Sequence, residues 1–295
     1  MAFPPYTGLG GKITHYSFLI FCACVFLFLI APILVIIPLS FNAEPYFTFT
    51  EGMMALDKEA YSVRWYKDIA TNPQWIFSAK NSIFVAIFST LIATILGTLA
   101  ALGLSQSHMP YKPLVMGVLI SPMIVPLIIS AAGMFFFYSK IGLSQTMPGL
   151  ILAHAVLGTP FVVITVTATL AGFDHSLTKA AQSLGAGTPR TFFKIQMPLI
   201  LPGVVSGALF AFITSFDEVV VVFFLAGFEQ RTIPRQMWAG IREQISPTIL
   251  AVATILVCVS ILLLTTVELL RRRNERLRGC LLYTSPSPRD KRQSR

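Results

Sequence analysis

The sequence predicts an all-α, polytopic membrane protein with six transmembrane helices. Hydrophobic residues make up 55% of the 295 residues and charged residues only 12%, about half of the charged share that is usual in soluble domains. The apolar residues also fall into long runs, and a helix needs about 20 such residues to cross the hydrocarbon core of a bilayer. A water-soluble fold of this length would lack a polar surface, so these two observations exclude it.

Six apolar runs meet this length criterion. They lie at 17–40, 82–104, 113–137, 148–171, 200–226 and 248–270. The first run is too long for a signal-peptide h-region and lacks an A-x-A-like exit, so it is expected to remain as a helix. Gly97 in the second run is expected to be a close-packing position, and Pro122 and Pro126 in the third are expected to be kinks. Charge within the runs is confined to the fifth, because Glu268 lies at the boundary of the sixth.

Basic residues in the short loops predict the orientation of the chain. A cluster of arginines follows the sixth run directly, and Lys and Arg near a span mark the cytoplasmic side. This cluster is Arg271, Arg272, Arg273, Arg276 and Arg278. We therefore expect a cytoplasmic N-terminus at 1–16, a transmembrane domain at 17–270 and a basic cytoplasmic tail at 271–295. The segments 41–80 and 227–247 are then the long outer loops.

The net charge of +9 has a simple explanation. Most of the excess lies in the final 25 residues, where it is typical of an anchor beside anionic lipid. No nucleic-acid partner is expected. The last stretch, GCLLYTSPSPRDKRQSR at 279–295, has no periodicity and resembles translated vector or adapter ends, so we expect it to be non-native.

Motifs of enzymes and metal sites are missing from the sequence. Cys22, Cys24, Cys258 and Cys280 have no C-x-x-C spacing and no histidines at ligand intervals, so no catalytic residue, metal site or bound cofactor is expected. The sequence also has no G-x-S-x-G, H-E-x-x-H or phosphate loop. His154 in the fourth run is expected to be a hydrogen-bonded packing residue, and a catalytic role is the alternative.

A polar stretch that glycines interrupt, KAAQSLGAGTPRTFFKIQMPLILPG at 179–203, separates the fourth and fifth runs. Asp174 is a suitable N-cap for a short helix. Four apolar residues then recur at i, i+3, i+4 and i+7 and give that helix one narrow stripe. They are Leu177, Ala180, Ala181 and Leu184. Gly185 and Gly187 are expected to end the helix.

Thr188 and Pro189 are a cap and first-turn pair that predicts a second helix. This helix is expected to continue until Met197 and Pro198 turn the chain back into the membrane. Periodicity alone leaves two possibilities open for the stretch: a surface that contacts a partner, or a helix that lies at the headgroup level or packs under its own bundle.

The order A-A-x-x-L-G-A, then a spacer, then M-P-L-I-L-P-G, resembles the EAA loop of permease subunits of bacterial ATP-binding-cassette importers. In that family a short cytoplasmic helix docks in a cleft of the ATPase. The resemblance assigns docking to the loop at 174–203, and within it to Lys179, Ala180, Ala181, Leu184, Gly185, Ala186, Pro198, Pro202 and Gly203. Lys179 departs from the family pattern, which usually has an acidic residue there.

The resemblance extends over about residues 60–270. Three segments resemble the polyamine branch of this permease family: YSVRWYKDI, SPMIVPLIIS and SFDEVVVVFFLAG. It implies a MetI-like permease fold in the bacterial inner membrane. It also implies four partners: a cytoplasmic ATPase dimer that uses the ATP, a second permease subunit in a heterodimer, a periplasmic solute-binding protein and the bilayer. Spermidine or putrescine is the implied solute, and another small solute is the alternative.

Asp217 and Glu218 are the strongest chemical signal within the membrane. A carboxylate at membrane depth should face protein or water, because lipid exposure costs about 2.5 to 3.5 kcal/mol. On a continuous helix the two side chains would point about 100° apart, so only one could face a path. They are either an acidic station for a cationic solute or a structural pair held by Ser215, Thr214 or an outer-loop arginine.

Two other classes of protein remain as alternatives. A secondary transporter usually shows inverted repeats or charged relays in several spans, and a membrane scaffold would need neither. Neither class accounts for the helix, bend and proline order of 174–203.

Overall fold

The computed structural model describes residues 8–106, 108–243 and 246–282, and every regular element in these ranges is helical. The α-helices there are α1 Leu9–Leu39, α2 Glu51–Met54, α3 Arg64–Thr71, α4 Pro73–Ser105, α5 Lys112–Ile124, α6 Leu127–Ile141, α7 Met147–Ala171, α8 His175–Ser183, α9 Thr188–Thr191, α10 Met197–Asp217, α11 Val220–Leu225, α12 Ile233–Glu243 and α13 Thr248–Leu282. A 3₁₀ turn at Lys58–Ala60 follows α2, and a π-helical segment at Phe192–Gln196 joins α9 to α10. The all-α expectation is confirmed.

Among the described residues, five helical segments are long and apolar enough to cross a membrane. They are Gly10–Leu39, Pro73–Ser105, Met147–Ala171, Thr188–Asp217 and Thr248–Thr266. The bent pair α5 and α6 makes a sixth span if it is counted as one. The chain is therefore a polytopic membrane protein with five or six candidate spans.

The chain divides into two compact units. Of the described residues, one unit joins those up to Asn72 with those of Gly240–Cys258, and the other joins those of Pro73–Ala239 with those from Val259 to Leu282. The second unit holds the loop and the carboxylates that the sequence singles out.

In the first unit, the segment 41–72 is folded against the end of α1. Trp65 Nε1 donates to the carbonyl of Asn42 at 2.7 Å, and the hydroxyls of Tyr66 and Ser40 lie 2.7 Å apart. Asn42 and Ser40 are fully buried. Buried Trp and Tyr side chains ordinarily find such partners for their polar atoms. This segment is therefore a packed structure with fixed contacts.

Small residues bring α4, α7 and α10 close together in the second unit. A Cβ at Gly158 on α7 would lie 2.9 Å from Cβ of Ala211 on α10 and 3.4 Å from Cβ of Ala93 on α4. A Cβ at Gly97 on α4 would lie 2.7 Å from Cβ of Val162 on α7. Membrane helices pack through small residues in this way. The expectation that Gly97 is a close-packing position is confirmed.

One side of the short helix α11 is buried in protein. Val221 and Val222 are fully buried and Leu225 is 1% exposed, in one apolar cluster with Leu150 and Ile151 of α7. Non-helical backbone is tolerated at membrane depth only where protein or water surrounds it. The cluster therefore accounts for an interruption of the fifth span at this place.

The third span is broken where only a kink was expected. The helices α5 and α6 meet at Val125 and Pro126 with a bend of 102°. Pro126 has no N–H, and its ring disfavours the helical conformation of the residue before it. Val125 accordingly is extended, with φ −70° and ψ 134°. Pro122 lies inside α5, so the two prolines differ in effect.

The fifth span is not the continuous helix expected at 200–226. The helix α10 ends at Asp217, Glu218 is extended with φ −72° and ψ 125°, and α11 begins at Val220. The run of apolar residues on both sides hides this break from a hydropathy criterion. The expectation that the two carboxylates share one helix is therefore wrong.

The expected turn at Met197 and Pro198 is also wrong. The Met197 N–H bonds to the carbonyl of Phe192, five residues earlier, in the π-helical register. Pro198 has no N–H and needs no acceptor, so the chain passes from π to α register there without turning. Helical structure thus continues from Thr188 to Asp217.

Other boundaries differ less. The helix α4 begins at Pro73, so the segment expected as the loop 41–80 ends at Asn72. Proline suits the first helical turn because its missing N–H would have no partner there. The helix α13 continues beyond the expected boundary at 270. From residue 283 onward the stretch expected to be non-native lies outside the described residues, as do residues 1–7 of the segment 1–16.

Candidate functional site: the polar loop and the fifth span

The helix α8 begins at the residue that the sequence predicts. Asp174 is the N-cap, and its Oδ1 accepts a hydrogen bond from the Ser176 N–H at 2.9 Å. This hydrogen bond is the largest influence on the carboxyl group and lowers the pKa of Asp174. Asp174 is exposed and ionised at neutral pH, so the cap persists under physiological conditions.

The helix α8 ends at a Schellman motif. The Gly185 N–H bonds to the carbonyl of Gln182 at 2.9 Å, and the Ala186 N–H bonds to the carbonyl of Ala181 at 3.0 Å. Gly185 has φ +84°, a left-handed conformation that glycine adopts without strain. The expectation that Gly185 ends the helix is confirmed. A capped start and a closed end make α8 a short helix of fixed length.

Exposure separates the residues of the predicted apolar stripe. Ala181 is 7% exposed and packs against the chain itself. Leu184 is 88% exposed and Leu177 is 45% exposed. Ala180 and Lys179 are exposed as well. The outward face of α8 is therefore Leu177, Ala180 and Leu184, whereas Ala181 supports the helix from inside.

The remaining predicted loop residues belong to α10. Pro198 and Pro202 lie in its first turns, and Gly203 is buried. A Cβ at Gly203 would clash with Thr169 Oγ1 and lie 3.0 Å from the carbonyl of Thr165, both on α7. The structure thus places the predicted loop residues in two groups, one on the short helix and one in the helix that follows.

A side-chain hydrogen bond joins these two groups. Gln196 Nε2, in the π-helical segment, donates to Thr178 Oγ1 on α8 at 3.2 Å. Helical structure then runs on without a turn to Asp217. The helix α8 is therefore attached to the start of the helical run that ends at Asp217.

Asp217 and Glu218 have different surroundings. Glu218 is 8% exposed, and its Oε1 accepts a hydrogen bond from the Val221 N–H at 2.9 Å. Asp217 is the last residue of α10 and is exposed. The side chains diverge because the helix ends between them. The partner of Glu218 is the backbone of α11, not the Ser215, Thr214 or arginine that the sequence suggests.

Side chains stabilise both ends of α11. Glu218 accepts the N–H at the start, and Arg235 Nη1 donates to the carbonyls of Ala226 and Gly227 at 2.7 and 2.9 Å after the end. A cation suits the C-terminal carbonyls of a helix. The helix is therefore held as a unit although it has only six residues.

The residues after α11 are fixed to the start of α4. Asn81 Nδ2 donates to the carbonyls of Glu229 and Arg231 at 2.9 and 3.0 Å. Ser82 Oγ accepts from the Ile233 N–H at 2.8 Å. Asn81 and Ser82 were not predicted from the sequence, although polar residues at the edge of an apolar run signal such interhelical contacts.

A buried hydrogen-bonded chain crosses the second unit. Ser89 Oγ on α4 donates to Ser215 Oγ on α10 at 2.9 Å, and Ser215 Oγ lies 2.8 Å from His154 Nδ1 on α7. These side chains are 1%, 6% and 1% exposed in the same order. His154 is therefore a buried, hydrogen-bonded residue, as expected, and the two serines are partners that the sequence did not reveal.

Within residues 8–106, 108–243 and 246–282, no group of three or more His, Cys, Asp or Glu side chains is arranged to hold a metal ion. The chemistry available at the carboxylates is the attraction of a cation and the acceptance of hydrogen bonds.

A family model agrees with these features. The model described as "Binding-protein-dependent transport system inner membrane component" matches residues 93–276. This match includes the polar loop, α10 and both carboxylates, and it ends within α13.

Two relatives and one solved structure extend this result. The spermidine/putrescine transport system permease protein PotC of Haemophilus influenzae is 32% identical over 254 residues, which cover 86% of this chain and 96% of that protein. The putrescine transport system permease protein PotI of Escherichia coli (strain K12) is 28% identical over 238 residues, 78% of this chain and 82% of that protein. A crystal structure of a bacterial ABC transporter involved in the import of the acidic polysaccharide alginate matches with a TM-score of 0.70 and 16% identity. It covers 90% of this chain and 99% of that one. At that identity the likeness shows the fold alone.

Proposed function

The chain belongs to the family of binding-protein-dependent transport system inner membrane components, and from that premise we propose how it works within an ATP-driven importer. It is a multi-pass permease subunit of the bacterial inner membrane. It pairs with a second, different permease subunit, and the two enclose a path for the solute. A cytoplasmic ABC ATPase dimer beneath them uses the ATP, and a periplasmic binding protein delivers the solute. The chain itself catalyses no reaction, binds no cofactor or metal and contacts no nucleic acid.

The outward face of α8 is the observation that supports docking to the ATPase. Leu177, Ala180 and Leu184 present apolar surface on a short helix that is closed at both ends, and amphipathic helices dock into grooves through such faces. Leu184 is 88% exposed. We assign this face to the cleft of the ATPase. Lys179 lies beside the contact and makes no required charge pair.

The motion of the ATPase pair reaches the path through α10. Helical structure continues from Thr188 to Asp217, and 30 residues at about 1.5 Å each give a length of roughly 45 Å. Gln196 and Thr178 tie the base of this run to α8. Movement of the docked loop therefore displaces the helix that carries the carboxylate.

A polyamine such as spermidine or putrescine is the proposed solute. The PotC and PotI relatives are named for these compounds, and an exposed carboxylate at the end of a membrane helix attracts a cation. Asp217 is the station in the path, and Glu218 lies directly beside it. Another small solute of the same importer family is the alternative, and a secondary transporter is a more distant one.

We propose that both termini and the loop at 174–203 lie in the cytoplasm. The arginine cluster directly after the sixth span supports this side. The residues after α11 and the segment 41–72 then face the periplasm, where the binding protein docks.

Uptake by the assembled importer tests the function. The chain would be expressed with the ATPase, second permease and binding protein of its own gene neighbourhood in a bacterium without polyamine importers. We expect ATP-dependent uptake of radiolabelled putrescine or spermidine that requires all four components. Uptake without the ATPase would favour a secondary transporter. Binding of a different solute by the binding protein would replace the polyamine and leave the permease function standing.

A further inference from the structure

The hydrogen-bonded chain of Ser89, Ser215 and His154 joins three spans at one point. Ser89 Oγ lies 2.9 Å from Ser215 Oγ and 3.2 Å from the carbonyl of Ala86 on its own helix. Ser215 Oγ lies 2.8 Å from His154 Nδ1, and the tautomer of the imidazole decides which of the two atoms donates. Such a chain specifies one relative position of α4, α7 and α10.

Burial by itself does not produce such bonds in this unit. Thr98 lies on α4 as Ser89 does and is 6% exposed, yet its hydroxyl has no hydrogen-bond partner. Nearby glycines already bring the three helices into contact. Interhelical hydrogen bonds contribute only modestly to the stability of membrane bundles. The main effect of these three hydrogen-bonded side chains is therefore on geometry. They fix where the helices end relative to one another.

The hydrogen bonds among Ser89, Ser215 and His154 hold the last turn of α10. Ser215 precedes Asp217 by two residues, and α10 ends at Asp217. Glu218 is extended, and its carboxylate bonds forward to Val221 in α11. The final carbonyls of a helix have no partner within it, so a last turn frays unless other contacts hold it. Ser215 supplies such contacts to α4 and α7.

We propose that Ser89, Ser215 and His154 form a lock that positions the Asp217 carboxylate for the cationic solute. The proposal rests on the proposed function, in which Asp217 is the station in the path. His154 and the two serines are positioning residues and do not touch the solute. When the lock is intact, Asp217 has one position at the end of a rigid helix. When it is open, the same charge is spread over several positions, and transport slows.

A nitroxide label at position 217 tests the geometry directly. The label would be attached to Asp217→Cys in a full importer in which the four cysteines of this chain have been replaced. We expect a markedly narrower, more mobile spectrum when Ser215→Ala or His154→Leu is added. Thr98→Val should leave the spectrum unchanged, because the hydroxyl it removes has no partner. A label at Lys112→Cys, an exposed residue at the start of α5, should also be unaffected.

Uptake tests the consequence for transport with Asp217 in place. Ser215→Ala should lower polyamine uptake per assembled complex about fivefold or more, since displacement of a working group by about 1 Å costs up to a hundredfold in well-positioned sites. His154→Leu should lower uptake to a similar extent, and His154→Asn should retain most of it, because the asparagine side chain has a polar atom near the position of Nδ1. If Ser215→Ala does not assemble, Ser89→Ala removes one arm of the lock alone.

The outcomes distinguish this proposal from the proposed function. An unchanged spectrum at position 217 in both Ser215→Ala and His154→Leu overturns the lock, whatever happens to transport. A mobile label with normal uptake in Ser215→Ala overturns the role of the lock in transport. Normal uptake in Asp217→Asn removes the acidic station, and the spectrum then still decides whether the lock holds the helix end.

Discussion

The carboxylate of Glu218 accepts a hydrogen bond from the backbone N–H of Val221 at 2.9 Å, three residues further along the chain. Val219 is the N-cap of α11 and makes no side-chain cap hydrogen bond, so Glu218, one residue earlier, supplies an acceptor for an N–H of the first turn. Glu218 therefore stabilises the start of α11 after the break. A role in holding the backbone does not require a charge that faces a solute.

Glu218→Gln should preserve this role and Glu218→Leu should remove it. The amide oxygen of glutamine can still accept the Val221 N–H, whereas leucine leaves that donor without a partner. Loss of a cap typically costs about 1 kcal/mol. We expect a lower thermal midpoint of the purified complex for Glu218→Leu only. Equal destabilisation by both variants would show that the charge, and not the hydrogen bond, stabilises the break.

Asp217→Asn should slow polyamine uptake per assembled complex at least severalfold, while yield and thermal midpoint stay close to those of the original chain. The substitution keeps shape and hydrogen bonding and deletes only the charge. Asp217→Glu should retain most of the uptake. A matched control is Glu268→Gln, which removes a carboxylate on α13 that pairs with Arg272 of the same helix. Normal uptake by Asp217→Asn would remove the acidic station.

Leu184→Asp should abolish co-purification of the ATPase without lowering the amount of chain in the membrane. The side chain is 88% exposed, so the fold of the chain does not depend on it. Lys179→Glu, at an exposed neighbour, should be tolerated and serves as the charge control. A Leu184→Asp variant that still binds the ATPase and transports normally would show that α8 docks through another face.

Ala181→Asp should behave differently from Leu184→Asp. Ala181 is 7% exposed, and its carbonyl accepts the Ala186 N–H in the closing motif of α8. A buried aspartate there disturbs the loop itself, so we expect loss of both uptake and ATPase binding together with increased proteolysis within 174–203. Proteolysis equal to that of Leu184→Asp would place Ala181 on the docking face after all.

Gly207→Ala should destabilise the chain, although alanine is the better helix former. A Cβ at Gly207 would lie 2.7 Å from Cα of Val162, which is backbone and cannot rotate away. Overpacking of this kind costs about 1 to 3 kcal/mol. Gly117→Ala on α5 is the matched control because its Cβ would meet no atom within 4 Å, and it should gain up to about 1 kcal/mol. The thermal midpoints of the two purified variants should therefore move in opposite directions.

Reporter fusions should reveal the proposed orientation. A reporter fused after Arg273 should be active only as a cytoplasmic fusion, whereas one inserted near Asp57 should be active only in the periplasm. Asp57 caps an exposed 3₁₀ turn, so an insertion there disturbs little. The reverse pattern would invert the topology and move the polar loop away from the ATPase.

The sequence predicts this fold where local chemistry decides the outcome. Long apolar runs predict the spans because no other fold suits them, and Asp174 and Gly185 predict the ends of α8 because caps are local. The break in the fifth span at Glu218 could not be predicted from the local sequence. Apolar residues continue on both sides of it, and its cause is tertiary: α11 is buried in a cluster formed with α6 and α7.

The candidate site was predictable to a similar extent. Leu184 and Ala181 belong to the same stripe by periodicity, and only their surroundings show that one faces outward and the other inward. His154 was recognisable as a buried histidine. Its partner Ser215 lies 61 residues further along the chain, and Ser215 bonds in turn to Ser89, 126 residues away. No local pattern encodes such pairings.

The bend of 102° between α5 and α6 has a consequence for solvation. A helix that stops leaves its last carbonyls without donors, and the next helix begins with N–H groups that have no acceptors within it. In this chain Ile124 is 73% exposed and Val125 is 39% exposed, so the chain itself does not cover the joint. Hydrocarbon offers these groups no hydrogen bonds. If α5 and α6 cross as one span, the joint must therefore face water in the path or polar groups of a neighbouring subunit, and lipid cannot occupy that place.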